Sequence, residues 1–136
     1  MIFRAAIDDD FTYLASHSIN TKADRKQFET IDYNFTLEHE GNPLAMGGFR
    51  MIVPTTAWCW IDLTHDAGKN IRTVYRVTIE WMNQFAKDNN IKRLQAFIRM
   101  DSPEAIRLAQ HLGFSMESIM KNFYGDDDAY LYTRIF

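Results

Sequence analysis

The stretch from Ala57 to Arg99 limits the folds open to this chain more than any other. It opens with AWCWIDLTH, in which Trp58, Trp60 and Asp62 alternate with Cys59, Ile61 and Leu63, the two-residue period of a strand. DAGKN breaks that run. Ile71, Val74, Tyr75, Thr78, Trp81, Met82 and Phe85 then recur at helical spacing and predict a helix from about Asn70 to Asp88, ended by Asn89-Asn90. RLQAFIR reads as a buried strand. A strand, a long helix and a strand form a crossover, which makes the two strands parallel neighbours.

The flanking segments extend this core. DSPEAIRLAQHLGF predicts a second C-terminal helix: Asp101 or Ser102 at its cap, Pro103 in its first turn, and Gly113 at its left-handed exit. FSMESIMKNFY and DAYLYTRIF predict a hairpin around GDDD. On the N-terminal side, IFRAAI reads as a strand. Asp8, Asp9 and Asp10 start a helix, and TKADRKQFET reads as a second, polar one. YNFTLEHE and PLAMGGFRMIV pair as a hairpin turning at Gly41-Asn42 and Pro43, while Gly47-Gly48 predicts a bulge or a close backbone approach. The element order is β-α-α-β-β-β-α-β-α-β-β. It predicts one α+β domain over residues 1–136, with a mixed, mostly antiparallel sheet. Val74, Trp81, Met82, Phe85, Phe97, Ile106 and Phe114 are the expected core.

Charge and composition narrow the function. A net charge of −3 argues against a dedicated nucleic-acid binder. No apolar run approaches the roughly 20 residues needed to cross a bilayer. The single cysteine, Cys59, allows no internal disulfide and reads as core. With no signal-peptide pattern at the start, a cytoplasmic location is expected. His17, His39 and His111 are too scattered to suggest a metal or a triad, and GDDD lacks the spacing of a calcium loop, so no metal is expected.

Two groups of residues carry candidate chemistry. Lys69, Arg72 and Arg76 cluster where the long helix begins, with Arg72 and Arg76 one turn apart; they fit either an anion or a solvated face paired with Asp66 and Glu80. Asp62, in register with Trp60 and Thr64, fits either a general base or a hydrogen-bonded structural acid at a strand end.

The element order, the opening FRAAIDDDFTYL and the segment DSPEAIRLAQHLGF together resemble the GNAT superfamily of acyl-CoA-dependent N-acetyltransferases. In that family a strand precedes Asn-x-x-Ala-x-x-Leu-Tyr-x-x-x-Gly-Phe. Here Ser102 stands at the Asn, Ala105 at the Ala, Leu108 at the Leu, Ala109 at the Tyr, and Gly113-Phe114 at the Gly-Phe. THDAGKNIRTVYR, AIRLAQHLGF followed by Glu117, and a Tyr-Gly-Asp turn before AYLYTR are also similar to small GNAT-like proteins of tailed bacteriophages.

The resemblance implies helices on both faces of the sheet and acetyl-CoA as co-substrate, with Leu63, His65, Lys69, Arg72, Arg76 and Ser102 facing it. Asp62 or a bound water would be the base for an amine, and main-chain amides from Leu63 to His65 would polarise the thioester carbonyl. Two departures stand out. The family's glycine-rich pyrophosphate loop aligns without gaps on Asn70, Thr73 and Tyr75, with Gly68 slightly earlier, and the Tyr that often protonates the leaving thiolate is Ala109. The resemblance therefore supports two readings. One is an N-acetyltransferase acting on an amine. The other is an inactive GNAT-like phage protein with an assembly or host-interaction role, whose partner is another protein. A second copy of the chain is a candidate partner in either case.

Overall fold

A computed structural model describes residues 1–20 and 33–136. The polar helix expected at TKADRKQFET lies outside the described residues. Seven strands hydrogen-bond in the order β1-β2-β3-β4-β5-β7-β6. They are β1 (Ile2–Ala5), β2 (Tyr33–His39), β3 (Asn42–Val53), β4 (Thr56–Leu63), β5 (Arg93–Arg99), β6 (Ser115–Tyr124) and β7 (Asp127–Ile135). The helices are α1 (Asp8–His17), α2 (Ile71–Asp88) and α3 (Pro103–His111). The chain divides into two compact units, Met1–Arg50 with Cys59–Val74, and Met51–Trp58 with Tyr75–Phe136.

In the first unit, β2 pairs antiparallel with both β1 and β3. The start of α1 is set by Asp10 alone of the three consecutive acids. Its carboxylate accepts the Ile7 amide at 2.9 Å, both Arg4 Nη atoms at 2.7 and 2.8 Å, and Thr36 Oγ1 at 2.9 Å. Asp10 is only 3% exposed, and these donors stand in for water. Glu40 (φ 52°) and Gly41 (φ 82°) make the β2–β3 turn. It falls one residue before the expected position because a two-residue loop with both φ values positive matches the twist of the strands it joins. Asn42 is already paired with His39. At Gly47-Gly48 the strand shows a close approach, not a bulge. A Cβ on Gly47 would lie 2.8 Å from Trp60 O, and one on Gly48 would lie 2.5 Å from Trp60 Nε1. That nitrogen reaches over Gly48 to Asn34 Oδ1 at 3.1 Å. The ladder shift sits instead at Leu37/Glu38.

In the second unit, Thr56–Trp58 of β4 run parallel to Arg93–Gln95 of β5, as the crossover requires. β7 pairs antiparallel with β5 and β6. Both helices leave through the same device. At the end of α3 the Phe114 amide returns to Ala109 O (3.0 Å) and the Gly113 amide to Gln110 O (3.1 Å), with Gly113 at φ 89°. At the end of α2, Ile91 returns to Ala86 O (2.8 Å) and Asn90 to Lys87 O (3.4 Å), with Asn90 at φ 53°. Arg134 Nη1 donates to Leu112 O (3.4 Å) and Nη2 to Asn83 Oδ1 (2.6 Å). The cation thus meets the negative end of the α3 dipole.

Val74, Met82 and Phe114 are buried as expected, whereas Trp81, Phe85, Phe97 and Ile106 are half-buried. The reason for Phe97 is strand alternation: Leu94 and Ile98 take the buried face of β5, so Phe97 must point the other way. There it stacks on Trp58 (centroids 6.1 Å) and meets Phe123 (4.7 Å). The GDDD acids disperse. Gly125 turns the hairpin at φ 71°, Asp127 accepts Arg99 at 2.8 Å, and Asp128 accepts the Asn122 amide at 2.9 Å and Lys121 at 3.2 Å. Among the described residues no group of acids, histidines or cysteine could hold a metal ion, and no helix is long and apolar enough to cross a membrane.

Candidate active site

Most of the residues singled out above fall in the first unit, on a continuous run from the end of β4 into α2. Asp62 is 3% exposed. Its Oδ2 accepts Ser18 Oγ at 2.7 Å and its Oδ1 accepts the Leu63 amide at 2.8 Å. The Leu63 carbonyl accepts the Ile19 amide at 2.9 Å. Thr64, fully buried, bridges antiparallel to Ser18. Its amide donates to Leu44 O at 3.0 Å and its hydroxyl to Pro43 O at 2.8 Å. The amides of Leu63 and Thr64 therefore already have acceptors within the chain.

A 3-10 turn, His65–Asn70, follows and runs without interruption into α2 at Ile71 (φ −57°, ψ −40°). Ala67 anchors it, buried, with its amide on Thr64 O at 3.1 Å. Gly68 is exposed, and a Cβ there would meet nothing within 4 Å, so no packing contact demands glycine at this position. Lys69 and Arg72 are exposed, and neither has an acidic partner among the described residues. Two unneutralised cations close together are a simple anion attractor.

Arg76 and Ser102 belong to the second unit. Arg76 pairs with Glu80 at 3.4 Å on the exposed face of α2. Ser102 is the buried cap residue of α3, and its side chain makes no cap hydrogen bond. In the same unit Ala109 is buried, and Tyr75 lies on the ring of His111, centroids 4.8 Å apart and 12° from parallel.

Sequence reasoning passed over the end of α1, which lies against the end of β4. The Tyr13 hydroxyl donates to the Asp66 carboxylate. That bond, with a smaller effect from burial, holds the Tyr13 phenol above its ordinary value. The His17 ring stacks on Tyr13 with centroids 3.8 Å apart and the planes 2° from parallel. His17 Nδ1 sits 2.9 Å from Tyr13 O and 2.9 Å from Ser16 Oγ. The available signal was the one-turn spacing of Tyr13 and His17 on a helix; their partners near β4 lie too far along the chain to be read locally.

No protein-family profile matches this chain, and no curated protein sequence matches it. Solved structures do. The ribosomal-protein-S18-alanine N-acetyltransferase of Escherichia coli superposes with a TM-score of 0.73 at 18% identity, over 98% of this chain and 92% of that one. A GNAT family acetyltransferase from Elizabethkingia anophelis, with acetyl-CoA bound, gives 0.70 at 15% identity, over 99% and 97%. The ribosomal-protein-alanine N-acetyltransferase of Brucella melitensis gives 0.67 at 17% identity over 100% of both chains. The chain has the fold of the GNAT acetyltransferases.

Proposed function

We propose that the chain is an acetyl-CoA-dependent N-acetyltransferase acting on an amine. The observation that carries this reading is the unneutralised pair Lys69 and Arg72 where the 3-10 turn enters α2, beside a Gly68 that no packing contact demands. Phosphates of acetyl-CoA fit there. The cations supply charge-assisted donors, and the bare Gly68 backbone admits close approach. When bound, acetyl-CoA supplies an acyl thioester to the end of β4. The main chain of Leu63 is occupied by Asp62 and Ile19, which leaves His65 to pair with the ligand's arm. Asp62 keeps the Ser18 segment in place.

The test is calorimetric titration with acetyl-CoA. Binding by the unaltered chain, weakened in Arg72→Ala by about 10-fold to 150-fold (about 1.5–3 kcal/mol), supports the site. Unchanged binding in that variant rejects the site. No binding at millimolar acetyl-CoA rejects the enzyme. That last outcome favours the second reading, a non-catalytic GNAT-like protein of phage type that engages another protein. The specific observation behind it is buried Ala109, which places no hydroxyl where the family's acid stands.

A further inference from the structure

We infer that His17, through Nε2, is the general base that deprotonates the acceptor amine; this rests on the acetyltransferase reading. Three features of the ring converge. First, its tautomer is set. Tyr13 O can only accept, so the nitrogen 2.9 Å from it, Nδ1, carries the proton. In the neutral ring Nε2 then holds a lone pair. Second, that lone pair is free for work: among the described residues Nε2 has no hydrogen-bond partner. Third, the ring is held. It lies flat on Tyr13, whose own hydroxyl is tied to Asp66. A base fixed by a backbone carbonyl and a stacked ring is pre-oriented, as general-base catalysis needs.

Its position is also right. Its chain neighbours Tyr13 and Ser18 bond to Asp66 and Asp62, and Ser18 bridges Thr64, so the end of α1 that carries His17 lies beside the end of β4. Asp62 is poorly suited to the same task. It is buried, and each of its oxygens already accepts a hydrogen bond, from Ser18 and from Leu63. A carboxylate so placed holds structure and meets no incoming amine.

The step balances as follows. The ammonium gives one proton to Nε2. The freed nitrogen lone pair forms the N–C bond to the thioester carbonyl carbon as the C–S bond breaks. Sulfur leaves with the bonding pair and takes the nitrogen's second proton, and the imidazolium returns its proton to solvent.

His17→Asn is the informative variant, because its side-chain amide can still donate to Tyr13 O while offering no basic nitrogen. Turnover would be followed as thiol release from acetyl-CoA with a panel of amines spanning an N-terminal-alanine peptide and simple alkylamines. A fall in kcat/KM of about 10²–10⁴-fold, with acetyl-CoA affinity unchanged, supports the assignment. Unchanged turnover overturns the base and leaves the enzyme standing. Failure of the unaltered chain to bind acetyl-CoA overturns both. Independently of turnover, long-range nitrogen–proton NMR of the unaltered chain should show neutral His17 protonated on Nδ1, and a proton on Nε2 overturns the assignment.

Discussion

Replacing Asp10 by alanine removes one carboxylate and strips four donors of their acceptor. The Ile7 amide loses its cap, which costs about 1 kcal/mol. The Thr36 hydroxyl, on a residue with 0% exposure, is left unsatisfied at about 1–3 kcal/mol. Arg4 loses a two-pronged partner, but its side chain is 31% exposed and it keeps Glu38, so that share is discounted to about 0–1 kcal/mol. The expected total is about 2–5 kcal/mol, with Tm lower by on the order of 10 °C. Urea unfolding followed by circular dichroism measures it. The pH dependence carries a second signature. Burial pushes the Asp10 carboxyl up, but Arg4, Ile7 and Thr36 together outweigh it and hold the group below its ordinary value. A depressed carboxyl stabilises the folded chain above its unfolded value of about 3.9 and loses that contribution as pH falls through the folded value. The gap between the unaltered chain and Asp10→Ala should therefore narrow below about pH 4. A loss under about 1 kcal/mol at neutral pH, or a gap that widens in acid, would refute the reasoning.

Two further outcomes test the core. Leu94→Ala should cost about 2–5 kcal/mol and Phe97→Ala clearly less, measured in the same urea assay, because Leu94 fills the buried face of β5 and Phe97 the half-exposed one. Cys59, whose thiol burial pushes up to about 12, should ignore a thiol-specific disulfide reagent at pH 8 in the folded chain and react fully in denaturant.

What could be read from the sequence was what depends on near neighbours. The period of α2 predicted the helix, and with it the parallel pairing of β4 and β5, because a crossover leaves that pair no other direction. Gly113 predicted the exit of α3, since a left-handed residue is needed there. What could not be read depends on register between distant segments. Three aspartates in a row are equivalent on paper. Only the pairing of β1 with β2 decides that Asp10 meets both Arg4 and Thr36. The inner face of β5 was misjudged because RLQAFIR offers apolar residues on both sides. Ser18 and Asp62 are 44 residues apart, and no local pattern announces their bond.

Those distant bonds also decide how the candidate site divides its labour. The end of α1 is tied to the end of β4 by the Ser18–Asp62 hydrogen bond and the Ser18–Thr64 bridge, and to the following 3-10 turn by the Tyr13–Asp66 bond. Both nearby acids, Asp62 and Asp66, are engaged in these ties. Acids held in this way do not neutralise Lys69 and Arg72, which remain without acidic partners among the described residues. Nor do they engage His17, whose Nε2 likewise has no partner among them. The arrangement thus engages both acids in structure and leaves the two cations and His17 Nε2 without such ties among the described residues.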